Sequence, residues 1–370
     1  MKLITTLTLF AVGFYGMLLS IFDSNIWLTY NFSEGDAKIS SINKLAFGPD
    51  GILFVGDSET ASIVALETED LNISDGEEVD INSLDKSIAA VLGTTVDNVK
   101  ISDMAVNPIS KNIYLGVQTG NGNSVLLRLN KGKWEHLDLK NISHSTISLK
   151  DPIDTDAKDR RGRSQRMWAI SDLKYHDGNI YVSGLSNKEF GSTFRKIAFP
   201  FNENQDHATL EIWHAAHGQF ETQAPIKTFN FISINGNDHL LASYTCTPLT
   251  VFPLSELIDG NHVKGRTVAE LGSGNSPLDM VQISKEGKNY FLLANTNRPL
   301  MRISKDDIAK FEKSLTDPVE EFAQTAGVDY ISLPMVNVLQ LDDYNDQNVI
   351  YIQRTAEGDL ILKTRTKQWI

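Results

Sequence analysis

The chain has 370 residues, of which 41% are hydrophobic and 22% charged, a balance typical of a folded globular protein. Its 47 acidic and 34 basic residues give a net charge of -13, which argues against nucleic acid and anionic membrane surfaces as partners. Cys246 is the one cysteine, so an internal disulfide and a four-thiolate metal site are excluded.

The first predicted element is an apolar run that follows Lys2 and stops at Asp23. Its length and lack of charge predict an export signal over residues 1–22, with a single N-terminal membrane anchor as the alternative. We therefore expect a periplasmic or secreted protein in which residues 23–370 form one domain. No later segment is long and apolar enough to suggest a membrane span.

Beyond this run, one pattern recurs six times: an alternating apolar strand, a turn containing Gly, Asp or Asn, and a second strand. The copies lie at residues 42–57, 101–117, 170–185, 229–245, 278–296 and 336–353. A third apolar segment follows each copy, for example SVLLRLN and TFRKIAF. Each unit therefore supplies at least three consecutive antiparallel strands, which is the outline of a propeller blade.

These units predict an all-β fold, a six-bladed β-propeller. Four-stranded blades need roughly 40 to 50 residues, and the excess in this chain fits loops on one face. The last unit is short, so the N-terminal segment WLTYNF at residues 27–32 is expected to add its fourth strand and close the ring. Seven blades is the alternative, because residues 67–100 are long, although SLDKSIAAVLGTT within them is typical of a short helix.

The strand-turn-strand segment FGPDGILFVGD at residues 47–57 resembles a signature of six-bladed propellers of the regucalcin/gluconolactonase, NHL and YVTN-type repeat proteins. This resemblance extends over the repeats as a pattern. It implies a fold rather than an activity, because such propellers host lactonases, lyases, quinoprotein dehydrogenases and binding modules.

The residue before the apolar run of each inner strand marks an equivalent position in the six units. The markers are Lys44, Asp103, Asp172, Asn230, Asp279 and Asn337. They should gather around the central channel, where carboxylate and amide oxygens suit Ca²⁺. We therefore expect a divalent metal ion, calcium being favoured, at Asp103, Asp172, Asn230, Asp279 and Asn337.

Lys44 does not fit a simple calcium cage, and two alternatives remain open. Its ammonium could neutralise the carboxylates without a metal, or the Asp and Asn side chains could bind main-chain amides at the strand ends. Around the ring, the expected ligand contacts are Lys44, Tyr244, Asn295, Arg298 and Arg354.

A second candidate site lies in the segment HAAHGQFE, whose His214, His217 and Glu221 are spaced to share one side of a turn. Cys246, in YTCTP, is expected near them at the end of a second strand. These four residues are candidates for catalysis or for binding Zn²⁺, Cu²⁺ or iron, with structural roles as the alternative.

The predicted function is binding of a small molecule, metal ion or partner protein on the central polar face, by a monomer. A metal-dependent, calcium-type hydrolase or lactonase is one alternative. A quinoprotein-like oxidoreductase is another, in which arginines of KDRRGRSQRMW at residues 158–168 would hold an anionic cofactor; a solvated loop is the simpler interpretation of that segment.

Overall fold

A computed structural model describes residues 30–370 and shows six sheets, antiparallel except for one short parallel strand pair. The sheets are numbered as blades 1 to 6 by the chain order of their inner strands, and strands are given from the inside outward. Blade 1 contains Lys44–Phe47, Ile52–Asp57, Ser62–Glu67, Ile142–Ser148 and Ser33–Gly35. Blade 2 contains Val99–Val106, Ile113–Thr119, Ser124–Asn130 and Lys133–His136.

Blades 3 and 4 are extended by short additional strands. Blade 3 contains Asp172–His176, Asn179–Leu185, Ser192–Ala198 and Gln205–His214, with Gln219–Glu221 and His262–Lys264 paired to its outer strand. Blade 4 contains Ile226–Ile234, Asn237–Tyr244, Pro248–Pro253, Arg266–Glu270 and Ala326–Gly327.

The last two blades have four strands each. Blade 5 contains Pro277–Lys285, Lys288–Asn295, Met301–Ser304 and Tyr330–Ser332. Blade 6 contains Val338–Asp343, Asn348–Arg354, Leu360–Thr366 and Asp80–Ile81. The prediction of an all-β, six-bladed propeller is confirmed.

Helices are few and short in the described part of the chain. The α-helices are Leu84–Leu92 and Lys305–Lys310. The first was predicted from SLDKSIAAVLGTT, and Gly93 in the left-handed conformation, at φ 63°, ends it. The 3₁₀ turns are Pro49–Gly51, Val96–Asn98, Arg166–Ala169, Ala215–His217, Leu254–Glu256 and Lys367–Trp369.

The core is divided among the spaces between blades. Six clusters of buried apolar side chains occur, and each joins two neighbouring blades: 1 with 2, 1 with 3, 3 with 4, 4 with 5, 5 with 6, and 6 with 2. Second strands are buried on both faces, as in Ile52–Asp57, because each blade packs between two others. Burial of this apolar surface contributes roughly 25 cal/mol per Å² to stability and holds the ring together.

The order of the blades around the ring differs from their order in the chain. Blade 2 lies between blades 1 and 6, and the chain then returns across the outside of blade 1, as Ile142–Ser148, before it enters blade 3. The ring order is therefore 1, 3, 4, 5, 6, 2.

Closure of the ring also differs from the expectation. The fourth strand of blade 6 is Asp80–Ile81, which pairs with Leu362 and Lys363; of the segment at residues 27–32 that was expected there, residues 27–29 lie outside the described residues. Tyr30 instead stacks on Phe199 at 5.1 Å between centroids, and Ser33–Gly35 forms the outer edge of blade 1. The return of the chain to blade 1 places the N-terminal segment there, on the far side of blade 2 from blade 6.

Candidate functional site

Four aspartates on the axis of the ring bind main-chain amides of neighbouring blades. The bridges run from Asp103 to Leu45, Asp172 to Phe229, Asp279 to Leu341 and Asp342 to Val106, with oxygen–nitrogen distances of 2.7 to 2.9 Å. Three of the four also accept the amide of the residue that follows them. The binding of main-chain amides, which the sequence left open as an alternative, therefore occurs in the structure.

Asp103 is the exception, since its second oxygen accepts a hydrogen bond from the Lys44 ammonium at 3.1 Å. Burial disfavours the charged form of Lys44, but Asp103, followed by Asp172 and Asp279, outweighs it and raises the pKa of Lys44. Lys44 thus provides a buried positive charge next to the axial carboxylates.

Burial also changes the ionisation of the carboxyl groups. It raises the pKa of Asp103 to about 6 in spite of Lys44, and that of Asp342 to about 7 in spite of two main-chain amide donors. Burial likewise raises the pKa of Asp279, against the influence of Lys174 and Lys44. Asp103 and Asp342 therefore change their protonation within about one pH unit of neutrality.

A cavity of about 290 Å³ follows the axis from this ring to the face where the inner strands end. Eight of the twenty residues that line it are charged, and Phe47 and Tyr175 are among the others. The charged lining is Lys44, Lys111, Lys174, Asp103, Asp172, Asp279, Asp342 and Asp343. The axial polar site therefore opens on the face opposite the one where the inner strands begin.

The strand registers correct two of the six marker positions. A β-bulge precedes the ring position in four inner strands, and the first paired residues after the bulge are Asp103, Thr228, Asp279 and Gln340. Thr228 and Gln340 therefore occupy the positions assigned from sequence to Asn230 and Asn337. A bulge adds one unpaired residue, which shifts any register counted from the apolar pattern.

Neither asparagine joins the ring. Asn230 lies two residues beyond it, where its amide contacts Met280 O at 3.4 Å and its oxygen accepts the Phe231 amide. Asn337 is exposed, with φ 55°, at the turn before blade 6. Of the five expected metal ligands, the structure places Asp103, Asp172 and Asp279 on the axis.

The second candidate site is brought together as expected, at the outer edge of blades 3 and 4. The carboxylate of Glu221 is hydrogen-bonded to His214 Nδ1 at 2.9 Å and to His217 Nδ1 at 2.6 Å. The centroids of the two imidazole rings are 3.9 Å apart. One nitrogen of each imidazole and the sulfur of Cys246 lie within 4.8 Å of one another. We call His214, His217, Glu221 and Cys246 the rim cluster.

Local structure explains how these residues meet. His214 ends the outer strand of blade 3, and the 3₁₀ turn Ala215–His217 reverses the chain so that Glu221 pairs back beside it. Cys246 approaches from the hairpin between the second and third strands of blade 4, where Cys246 and Thr247 have φ of 64° and 66°. Left-handed conformations cost roughly 1–3 kcal/mol for such residues, and strain of this kind concentrates at functional sites.

The rim cluster is strongly coupled electrostatically. Burial lowers the pKa of His214, but Cys246 and Glu221 outweigh it and raise the value to about 9. The two histidines hold the pKa of Glu221 at about 2 against burial, and His214 lowers the pKa of Cys246. A charged imidazole and a thiolate can therefore coexist here.

Glu270 is a further carboxyl group beside the rim cluster. It is fully buried, accepts the Ala216 amide at 3.3 Å with one oxygen, and has no hydrogen-bond partner for the other. Burial raises its pKa to about 7, although His214 acts in the opposite direction.

The remaining predicted ligand contacts do not line the axial cavity. Tyr244 is 1% exposed with no partner for its hydroxyl, and Asn295 binds Asn275 and main-chain oxygens within a turn. Arg298 lies near the carbonyls of Ser273 and Ala323, and Arg354 binds Gly358 O at 2.9 Å. Asn295, Arg298 and Arg354 therefore bind within turns and loops, whereas Tyr244 packs in the apolar core between blades 3 and 4.

The arginine-rich loop is tied down in part. Arg166 binds the carbonyls of Glu59 and Ile153, while Arg163 pairs with Asp159 at 2.7 Å. Their guanidinium groups are thus engaged by the protein itself. This arrangement favours the simpler interpretation of the segment, a solvated loop, over a clamp for an anion.

Lys174, Asp342 and Glu270 were missed in the sequence. Lys174 and Asp342 lie two residues beyond Asp172 and Gln340, so the alternation of a strand would have placed them on the channel side once the register was known. Glu270 ends a strand in the segment RTVAELG and carries no local signal of its proximity to His214.

No known protein family matches this chain, and no curated protein matches it. Solved structures that are similar over 90% of the chain include a "putative oxidoreductase (glucose dehydrogenase)" from Thermus thermophilus, at 13% identity and TM-score 0.34 over 99% of that chain. Kuenenia stuttgartiensis hydrazine synthase aligns at 8% identity and TM-score 0.37 over 98% of that chain. Drosophila plexin A, solved with semaphorin 1b, aligns at 8% identity and TM-score 0.37 over 88% of that chain. At these scores the alignments carry no argument about function.

Among residues 30–370, no helix is long and apolar enough to cross a membrane. The predicted export signal or anchor at residues 1–22 lies outside the described residues.

Proposed function

We propose that this chain is a binding β-propeller whose axial cavity takes a small organic cation carrying an ammonium group. The observation that carries the proposal is the cavity on the axis, of about 290 Å³, whose lining includes eight charged residues. Its size is at the lower end of the range for ligand pockets and fits a small molecule.

The charge of the cavity favours a cation. Five aspartates and three lysines line it, and Lys367 pairs with Asp343 from outside at 2.6 Å. When all five aspartates are ionised, above the pKa of about 7 of Asp342, five negative against four positive charges leave an excess of one. Phe47 and Tyr175 are also among the lining residues, and an organic cation at the face of either ring would be stabilised further.

The hydrogen bonds favour an organic ligand over a chelated ion. In Asp172, Asp279 and Asp342, both carboxylate oxygens accept hydrogen bonds from main-chain amides. The inner strands therefore fix the orientation of these three carboxylates. An ammonium needs only single acceptor lone pairs from separate groups, whereas Ca²⁺ needs six to eight converging oxygens. Calcium therefore becomes the second ligand to test.

The two enzymatic alternatives receive less support from the geometry. A calcium-type hydrolase would bring His214 or His217 to the axial carboxylates, but His214 ends the outer strand of blade 3 and His217 lies in the 3₁₀ turn that follows, and neither lines the axial cavity. A quinoprotein-like oxidoreductase would need free guanidinium groups, and two of the four arginines in the loop, Arg163 and Arg166, are already bonded. Export through residues 1–22 remains part of the proposal, and N-terminal sequencing of the mature protein tests it.

Titration calorimetry of the purified protein with ethanolamine, putrescine and Ca²⁺ tests the axial site. We expect heat of binding from an amine, at least tenfold weaker in Asp279→Asn and unchanged in Asp238→Asn, a matched exposed aspartate. Binding should also be tighter at pH 8 than at pH 5.5, because Asp103 and Asp342 ionise between these values. Binding of none of the amines would contradict the proposal, and Ca²⁺ binding that depends on Asp279 would restore the metal interpretation.

A further inference from the structure

The rim cluster has a feature that the axial cavity lacks: nitrogen and sulfur ligand atoms that converge. A carboxylate can only accept hydrogen bonds, so the Nδ1 atoms that contact Glu221 are the protonated nitrogens of His214 and His217 in their neutral forms. In this form the Nε2 atom of each ring carries the lone pair, and because the raised pKa of His214 keeps a second proton on that ring at neutral pH, a metal that binds there displaces the proton. This is the arrangement in which a carboxylate orients histidine ligands of a metal.

His214 provides an independent sign of a missing ligand. Its side chain is 2% exposed, and its Nε2 atom is buried with no hydrogen-bond partner. A buried polar atom that binds nothing is costly and requires an explanation. Because Nδ1 is held by Glu221, the unpartnered Nε2 is on the opposite side of the ring from that carboxylate.

Cys246 supplies the third ligand atom. Its position is fixed by the main chain, since its amide binds Asn275 O at 2.8 Å and the Thr247 hydroxyl binds Gly272 O at 3.0 Å. The left-handed conformations of Cys246 and Thr247 turn this hairpin toward the histidines of the neighbouring blade. Cys246 and His217 are both partly exposed, so an ion could enter from solvent.

We propose that His214, His217 and Cys246 bind a transition-metal ion of the Zn²⁺ class, with Glu221 holding both imidazoles in the ligating orientation. Imidazole and thiolate select zinc, copper and related ions over Ca²⁺ and Mg²⁺. Three protein ligands leave the fourth tetrahedral position for water or a small ligand. The thiolate, together with the neighbouring Glu221 and Glu270, offsets the charge of a divalent ion.

The site is separate from the axial cavity, and its test is independent of the proposed function. None of its residues lines the axial cavity, and it joins blades 3 and 4 through side chains from both. The competing interpretation is a metal-free thiol paired with an imidazole, a nucleophile rather than a metal centre. Metal binding and thiol reactivity separate the two.

Titration of the chelator-treated full-length protein with Co²⁺, followed by competition with Zn²⁺, tests the proposal. We expect one equivalent of Co²⁺ to bind with the intense near-ultraviolet band of a thiolate–cobalt bond, and Zn²⁺ to abolish it. Cys246→Ser should lose the band, and His217→Ala, which alters a half-exposed side chain, should weaken binding at least 100-fold. Glu221→Gln should weaken it about tenfold to 100-fold, as expected for a residue that orients ligands. His136→Ala, at an exposed histidine of blade 2, is the matched control and should leave affinity unchanged.

Protection of the thiol provides the second measurement. Zn²⁺ should slow alkylation of Cys246 by iodoacetamide in the wild type, with thermal melting used to confirm that each variant is folded. The absence of saturable metal binding, or binding with neither a thiolate band nor thiol protection, would overturn the proposal. Rapid alkylation that is insensitive to Zn²⁺ would likewise overturn it and identify Cys246 as a free nucleophilic thiol.

Discussion

The carboxylate of Asp342 accepts the main-chain amide of Val106 at 2.8 Å, and this bond joins the last blade of the chain to the second. It is one of four such bridges around the axis. The bridges connect inner strands at the point where apolar packing between blades gives way to the polar cavity. They make the axial aspartates elements of the fold as well as of the proposed binding site.

Removal of this bridge should destabilise the ring. Asp342→Ala leaves the amides of Val106 and Asp343 without their acceptor, which should reduce the free energy of unfolding by about 1–3 kcal/mol. Urea denaturation measures the change. Asp238→Ala, at an exposed aspartate, should stay within about 0.5 kcal/mol of the wild type. Equal stability of the two variants would show that the bridge contributes little.

The same residue should give a pH dependence of defined sign. The pKa of Asp342 is raised to about 7 in the folded protein from an ordinary value of 3.8, so between these values the folded state holds the proton more strongly than the unfolded chain. Its contribution to stability therefore falls as pH rises from about 4 to 7. Denaturation at several pH values should show wild type losing stability relative to Asp342→Asn over this interval. A difference that stays constant or grows with pH would contradict the assignment.

Lys44 should be more important for stability than its single ion pair suggests. Lys44→Met removes the ammonium beside Asp103, leaving a buried carboxylate uncompensated, and should cost about 3 kcal/mol. The double variant Lys44→Met with Asp103→Asn should recover part of this loss, because the amide oxygen can still accept the Leu45 amide. A double-mutant cycle from urea denaturation measures the coupling. Purely additive effects would indicate that the pair is not coupled.

The closure of the ring can be tested by cross-linking. Ile81 and Leu362 are paired across adjacent strands, so cysteines at both positions should form a disulfide in a Cys246→Ser background. The readout is a faster-migrating species on a non-reducing gel. A cysteine pair at Phe32 and Leu362, which represents closure by the N-terminal segment, should remain reduced. The opposite pattern would support the N-terminal strand and contradict the observed pairing.

The sequence alone determined the class of fold. Alternating apolar residues around Gly, Asp and Asn turns specify hairpins locally, and six such hairpins with a third strand each can bury their faces only against one another. The same local signals placed Asp103, Asp172 and Asp279 on the axis. They also brought His214, His217, Glu221 and Cys246 into one candidate cluster.

The tertiary structure decided the register, the order of the blades and the ligand geometry. Bulges before Thr228 and Gln340 arise from pairing with the next strand, so the apolar pattern could not distinguish these residues from Asn230 and Asn337. The place of blade 2 between blades 1 and 6 depends on packing between residues far apart in the chain, which the local apolar pattern does not encode. The convergence of Cys246 on His214 likewise depends on packing between blades 3 and 4.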